Sequence, residues 1–300
     1  MTEKAINEMP VKTWNWLKMN GTLIDVPDGI SKGEPIEIHA DNDGMKPSEL
    51  PFEFENGANT EGIVDISVDE NINHTVMMDF KNEIGGKGDG FASVGVKISL
   101  KKKAKLTLVQ VHRLGDEFTF TGRIDADLED KAEFHLIHAF ICGGKIYQDV
   151  HTNLKGRKSA LVIDTGYLTK GKEVLDLNYE ASHLGESSMS DISVRGALCD
   201  EAVKRFRGTI DFKLGAIGAK GNEIEEVLML DEGVVNQTIP IILCEEEDVE
   251  GNHGASIGRL DDDMLYYMMS RGMDEASIRE MMKTAYYEAV LRKSPVEISI

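Results

Sequence analysis

Three neighbouring stretches decide the fold class: ASVGVKISL (residues 92–100), LTLVQVHRL (residues 106–114) and EFTFTGRI (residues 117–124). In each, apolar and polar residues alternate and β-branched or aromatic side chains are frequent, which is typical of strands with one buried face. Twelve such runs lie between about residue 63 and residue 243, roughly one per 15 residues. No stretch between them is long enough for the crossover helix of a βαβ unit. The pattern therefore predicts a mainly β core.

The alternation does not choose among β architectures. A sandwich, a barrel and the irregular coils of a parallel β-helix all fit short strands separated by turn residues. No regular sequence repeat favours any of them. The glycine-rich stretches at residues 85–90 and 215–222 lack the Gly-Lys-Ser/Thr ending of a phosphate loop, so we interpret both as turns.

After Gly258 the pattern becomes helical. Acidic residues precede LYYMM, Gly272 has the position of a helix C-terminal glycine, and Asp274 has that of an N-cap. The second predicted helix has one apolar stripe, formed by Ile278, Met281, Met282, Ala285, Ala289 and Val290. The sequence thus predicts three regions: an irregular part with short strands (1–62), a β core (63–250) and a C-terminal α-helical subdomain (251–300).

Composition limits the function classes. The formal net charge is −20, so nucleic acid and anionic membrane surfaces are disfavoured as partners. The first residues show no basic segment followed by an apolar one, and we expect no secretory leader. Three widely spaced cysteines, Cys142, Cys199 and Cys244, are not a disulfide framework and indicate a reducing compartment. We therefore expect a cytoplasmic protein.

Two residues near the junction of the β core and the helices are candidate metal ligands. A thiolate at Cys244 and an imidazole at His253 suit iron or an iron–sulfur cluster. The competing interpretation is a core thiol beside a boundary histidine. By contrast, His135 and His138 should point to opposite faces of one strand, so they do not form a joint metal site.

The C-terminal third carries a family resemblance. NHGASIGRLDDDMLYYMMSRGM (residues 252–273) resembles the His-Gly-Ala, paired-tyrosine and Ser-Arg-Gly signature of the SufB and SufD scaffold proteins of the SUF iron–sulfur system. The segments at residues 183–212 and 228–256 are similar to the same family, and the similarity extends over about residues 105–293. Within the family the chain looks more like SufD, with a shortened N-terminal part.

The resemblance has structural and functional implications. It implies a right-handed parallel β-helix core with a C-terminal α-helical subdomain. It implies an iron or iron–sulfur cluster held transiently at a subunit interface by His253. Cys244 is a second candidate, but where SufB proteins carry a ligand cysteine and a glutamate, this chain has Val234 and Gly254.

The resemblance also implies two partners. A SufC-type ATPase would dock on the C-terminal helices through Tyr266, Tyr267 and Arg271, and a SufB-type subunit or a second copy would pair through the β-helix. The expected role is that of a scaffold without enzymatic activity. The alternatives are a stand-alone homodimeric scaffold and a β-helix enzyme acting on carbohydrate, which would need paired carboxylates in a groove.

Overall fold

The computed structural model describes residues 1–12, 17–42, 46–82, 88–259 and 262–298. Nineteen strands and two helices lie in these ranges. The strands are β1 (Thr2–Ile6), β2 (Thr22–Val26), β3 (Ser31–Lys32), β4 (Ile36–Ala40), β5 (Ser48–Phe54), β6 (Asn59–Val68), β7 (Asn73–Asn82), β8 (Gly90–Leu100), β9 (Lys105–Arg113), β10 (Phe118–Leu128), β11 (Glu133–Cys142), β12 (Lys145–Leu154), β13 (Ala160–Thr169), β14 (Val174–His183), β15 (Met189–Leu198), β16 (Val203–Phe212), β17 (Ala219–Met229), β18 (Val235–Cys244) and β19 (Val249–Arg259). The helices are α1 (Asp262–Ser270) and α2 (Glu275–Leu291).

The strands from β3 onward wind into a parallel β-helix with two faces. Sheet 1 contains β3, β4 and the even-numbered strands from β6 to β18, and sheet 2 contains the odd-numbered strands from β5 to β19. From β4 to β17, each strand pairs in parallel with the strand two places further along, so the chain passes from sheet to sheet in successive coils, and β3 also pairs with β6. This confirms the mainly β class and the parallel β-helix with a C-terminal helical part.

The period-2 pattern builds the core directly. In β8, Val96, Ile98 and Leu100 face inward and are almost fully buried. Parallel pairing without a register shift places them beside Ile124, Ala126 and Leu128 of β10. Repetition of this alignment from coil to coil gives one continuous apolar column, in which burying each large side chain contributes about 1.5–3 kcal/mol.

One corner of each coil has a recurring backbone conformation. Lys103, Lys131, Lys158 and Ser187 have φ of 58°, 58°, 57° and 56°, in the left-handed region. Each donates its N–H to a carbonyl of the following coil, at 2.8–2.9 Å. Gly218 has the same role in the next coil, so the turn predicted in the second glycine-rich stretch is confirmed there. Half of the first stretch, residues 85–87, lies outside the described residues.

The N-terminal hairpin, formed by β1, β2 and the described residues between them (7–12 and 17–21), lies on the outer face of sheet 1. It is fixed by a buried ion pair in which Arg207 Nη1 lies 2.5 Å from Asp176 Oδ1, both side chains being fully buried. Asn7 Nδ2 and Thr22 Oγ1 donate to the same carboxylate at 2.8 and 2.6 Å. Arg207 Nε donates to the Met19 carbonyl at 2.7 Å. The hairpin therefore depends on residues of β14 and β16.

The two helices follow the last coil. Asp274 caps α2 by accepting a hydrogen bond from the Ser277 N–H at 2.8 Å, and Gly272 has a φ of 94° just after α1. Both predictions for these residues are confirmed. Within the described ranges, neither helix combines the length and the apolar character that crossing a bilayer requires.

The predicted apolar stripe of α2 is wrong in part. Ile278 and Val290 are buried as expected, but Met281, Ala285 and Ala289 are exposed. The buried face instead includes Tyr287 and Leu291, which pack on the outer face of sheet 2. The ring of Tyr287 adds apolar area to the buried face, and the predicted stripe did not include it. The buried face of α2 is therefore rotated relative to the predicted stripe.

Candidate functional site at the open end of the β-helix

The last coil consists of β18 and β19. Each is the final strand of its sheet, so among the described residues its outer edge pairs with no further strand. From Glu250 to Arg259, β19 is exposed throughout. A strand edge with free N–H and C=O groups is a template for pairing with another chain. The end of the β-helix is therefore open both to solvent and to a partner.

His253 lies on β19 at this open end. Its Cα partner in β17 is Glu223. The inward-facing residues of β17 are Gly221, Glu223, Glu225 and Val227, all of them buried, and the parallel register places His253 on the same inward face. His253 is nevertheless exposed, because it belongs to the last coil. The strand thus presents its imidazole at the mouth of the β-helix.

Cys244 is the last residue of β18. Its thiol is exposed and donates a hydrogen bond to the Glu246 carbonyl at 3.1 Å. The expectation of a core thiol at this position is wrong, because β18 ends there and no coil covers it. The buried free thiol is Cys199, whose pKa is raised to about 11, chiefly by burial. The side chain of Cys142 is not among those described.

The structure does not join Cys244 to His253 directly. A Cβ at Gly251 would lie 3.2 Å from Ile242, so Ile242 faces Gly251, two residues before His253. Cys244 lies further out, at the corner where β18 ends. In the described ranges, no three His, Cys, Asp or Glu side chains come together as a possible metal-binding group. Any ion held here by His253 would need further ligands.

A buried polar cluster lies directly behind the open end. The Lys204 ammonium pairs with the Glu225 carboxylate and donates to Asn236 Oδ1 and Thr238 Oγ1, each at 3.1 Å. Thr238 in turn donates to Glu225 Oε2 at 2.7 Å. Desolvation holds the pKa of Lys204 well below its usual range, although Glu223 opposes this effect. In the coil formed by β16 and β17, this polar cluster takes the place of the apolar side chains that fill the interior of earlier coils.

Glu223 is a buried carboxylate beside this cluster. It is 2 % exposed, and within the described part of the chain no group donates a hydrogen bond to its Oε2. Desolvation raises the pKa of this carboxyl to about 7, while Lys204 pulls it in the opposite direction. Sequence reasoning did not single out this residue. The available signal was the phase of NEIEEVLM, which places Glu223 and Glu225 in step with the inward-facing Val227.

Helix α2 is attached firmly to sheet 2. Tyr287 and Val290 pack against Val111 and Ile137 in one cluster. A Cβ on Gly166 of β13 would lie 2.7 Å from the Tyr287 Cα, so the helix backbone rests against this glycine. Polar contacts hold both ends: Arg279 Nη1 donates to the Leu230 carbonyl at 3.2 Å, and Lys293 Nζ lies 2.5 Å from Asp164 Oδ1.

Helix α1 presents large apolar side chains to solvent, which we call the α1 patch. It consists of Met264, Tyr266, Tyr267 and Met269, each of them 46–77 % exposed. The Arg271 guanidinium lies 5.2 Å from the centre of the Tyr267 ring, a cation–π contact. The structure thus brings together Tyr267 and Arg271, two of the three predicted docking residues, and places Tyr266 beside them.

Comparison with known proteins identifies the family. The family model of the SufBD core domain of the SUF system for FeS cluster assembly matches residues 55–286, which include His253 and the α1 patch. The iron–sulfur cluster assembly protein SufD of Bacillus subtilis (strain 168) is 31% identical over 146 residues, 49% of this chain and 33% of that protein. Escherichia coli (strain K12) SufD is 27% identical over 159 residues, 53% of this chain and 37% of that protein.

A third relative shows the wider family. An iron–sulfur cluster assembly SufBD family protein of Mycobacterium leprae (strain TN) is 24% identical over 217 residues, 71% of this chain and 25% of that protein. The chain thus spans between a quarter and little more than a third of the length of these relatives. It belongs to the SufB/SufD family of iron–sulfur cluster assembly proteins and is closer to SufD.

Proposed function

We propose that this chain is a non-catalytic scaffold subunit of a cytoplasmic SUF complex, acting with a SufB-type subunit and a SufC-type ATPase. The observation that carries the proposal is the open last coil, which exposes both a strand edge and His253. Membership of the SufB/SufD family supplies the chemistry, since its named relatives assemble iron–sulfur clusters. Iron and sulfide are then cargo, held for a time and passed on.

Pairing with a SufB-type subunit would use the edges of β18 and β19. Strands of a partner chain could continue both sheets, because each edge offers a row of backbone donors and acceptors. Such pairing would enclose the inward-facing positions of the last coil, including His253, between two chains. A ligand set that is incomplete in one chain could thereby be completed by the other.

His253 would supply one ligand to iron. A neutral imidazole binds first-row divalent metals well, and its place at the mouth of the β-helix leaves it accessible to cargo. Cys244 is a weaker candidate in this proposal, since it lies at the corner and away from His253. The ATPase would dock on the α1 patch, so that a change of its nucleotide state could move the helices and, through α2, sheet 2.

Complex formation is the first test. Co-expression with the SufB-type and SufC-type proteins of the same organism should yield a complex that purifies intact. The double variant Tyr266→Ser/Tyr267→Ser should lose the ATPase and keep the SufB-type subunit, because both substituted side chains belong to α1 and neither belongs to the strand edges of β18 and β19. Retention of the ATPase by this variant would contradict the docking role, and failure of the unaltered chain to recruit either protein would contradict the function.

Iron binding is the second test. His253→Ala should weaken iron loading at least ~10-fold, since even loss of an outer-shell partner of a metal ligand costs about 10–100-fold in affinity. The complex should remain assembled. Iron per complex would be measured after anaerobic preparation, with His39→Ala as the control. His39 is an exposed histidine on β4, at the other end of sheet 1. Equal iron content in all three proteins would remove His253 from the site.

A homodimeric scaffold is the second candidate, and the same open end favours it. Two copies meeting edge to edge about a two-fold axis would bring two His253 side chains to one interface. The mass of the isolated chain in solution, measured together with its iron content, separates this arrangement from the heteromeric one.

A further inference from the structure

We infer that Glu223 and His253 together bind a divalent first-row cation at the open end of the β-helix, Glu223 providing a carboxylate ligand. This inference rests on the proposed function, because it adds a second ligand to the site of His253. The two residues are Cα partners on neighbouring parallel strands and occupy the same inward face. Neighbouring strands lie about 4.8 Å apart, so an ion between the two side chains can contact both.

Among the described residues, the surroundings of Glu223 provide no hydrogen-bond donor for its Oε2. Gly208 lies across the interior, where a Cβ would come against Glu223 Oε2, so the space is kept for the carboxylate. Pro240 is the Cα partner of Gly208 in the last coil, and proline has no N–H to donate. Neither residue on the opposite wall therefore supplies a side-chain or backbone hydrogen bond of the kind a buried carboxylate requires.

The nearest ammonium is directed elsewhere. Lys204 attracts Glu223 electrostatically, but its Nζ lies against Glu225, Asn236 and Thr238. These three contacts use the three donors that an ammonium has. Glu223 is thus a 98 % buried carboxylate whose Oε2 receives no hydrogen bond from the described residues, and its Cα partner in the last coil is the exposed His253. A cation between them would supply the missing counter-charge.

The ligand types set the kind of ion. One carboxylate and one imidazole form a mixed oxygen–nitrogen pair that suits Fe²⁺, Co²⁺ or Mn²⁺ better than a purely thiophilic ion. Two side chains leave several coordination positions open. Those positions are available to sulfide, to water or to ligands from the partner chain, as a site for cargo requires.

The test is a Co²⁺ titration of the chain in the assembled form in which it purifies. The visible absorption of Co²⁺ depends on its ligands, and Co²⁺ stands next to Fe²⁺ in the order of affinities of divalent first-row metals. The Glu223→Gln variant keeps the size and removes the charge. Glu226→Gln is the matched control, because Glu226 is on the same strand but on the outer face, 3.6 Å from Arg195. Circular dichroism would verify that each variant folds.

The expected result is a Co²⁺ dissociation constant raised at least ~10-fold by Glu223→Gln and by His253→Ala, and unchanged by Glu226→Gln. If His253→Ala weakens binding while Glu223→Gln binds like the unaltered chain, the role of Glu223 is overturned and the proposed function stands. Equal weakening by Glu223→Gln and Glu226→Gln would indicate a general charge effect and would also overturn the role. No weakening by His253→Ala would overturn both this two-residue site and the proposed iron-binding role of His253.

Discussion

Asp176→Ala is expected to lower the free energy of unfolding by about 3–5 kcal/mol, because it leaves the fully buried Arg207 guanidinium without its counter-ion. The same change removes the acceptor of Asn7 and Thr22, so the N-terminal hairpin loses its anchor. Urea denaturation followed by circular dichroism would measure the first effect. Limited proteolysis should show earlier cleavage within residues 1–26.

Asp191→Ala is the matched control for this change. Asp191 is an exposed carboxylate on β15 that accepts a hydrogen bond from Asn222, and its loss should cost little. If the two variants unfold at the same urea concentration, or if the hairpin of Asp176→Ala resists protease like that of the unaltered chain, the anchoring role of the buried pair is refuted.

Gly166→Val is expected to destabilise the protein by about 2–3 kcal/mol, the upper range for overpacking a filled interface. Even a Cβ at this position would approach the backbone of α2 to 2.7 Å, so the helix must move away from sheet 2. Valine is favoured in strands, so it should not destabilise β13 itself. The loss of stability would therefore come from the contact between β13 and α2. Compared with the unaltered chain, the variant should show faster hydrogen exchange in α2, and the strands of the core should change less.

Gly95→Val is the control for the helix contact. Gly95 lies in β8, and a Cβ there would have no neighbour within 4 Å among the described residues. We expect an unchanged or slightly higher stability for this variant. Loss of protection in α2 in both variants, or in neither, would mean that Gly166 does not determine how the helix docks. If α2 transmits motion from an ATPase, only Gly166→Val should also weaken that coupling.

The strands and helix ends could be predicted from sequence because their signals are local. Alternation in ASVGVKISL reflects inward-facing Val96, Ile98 and Leu100, and Asp274 and Gly272 act within one helical turn. The choice of a β-helix could not be made from the pattern alone. The recurring left-handed corners are occupied by lysine at Lys103, Lys131 and Lys158 but by Ser187 and Gly218 in later coils, so the structural repeat leaves no repeat in sequence.

Of the candidate site, only the part that depends on a single residue could be predicted from the sequence. The family resemblance singled out His253, and the structure places it exposed at the open end. Glu223 escaped notice because a glutamate in a strand is usually on the solvent face, and only the register of β17 with β19 shows it to be buried beneath His253. The sequence leaves Cys244 open between a ligand and a core thiol, because its position as the last residue of an exposed strand end cannot be read from composition.

The hairpin anchor has a consequence for synthesis on the ribosome. Thr22 and Arg207 are 185 residues apart, so at about 5–20 residues per second the guanidinium is made on the order of ten to forty seconds after the hydroxyl that contacts it. The coils can form one after another as the chain emerges, since each pairs with the coil before it. The hairpin must therefore wait after it is made, and it docks only once β14 and β16 are in place.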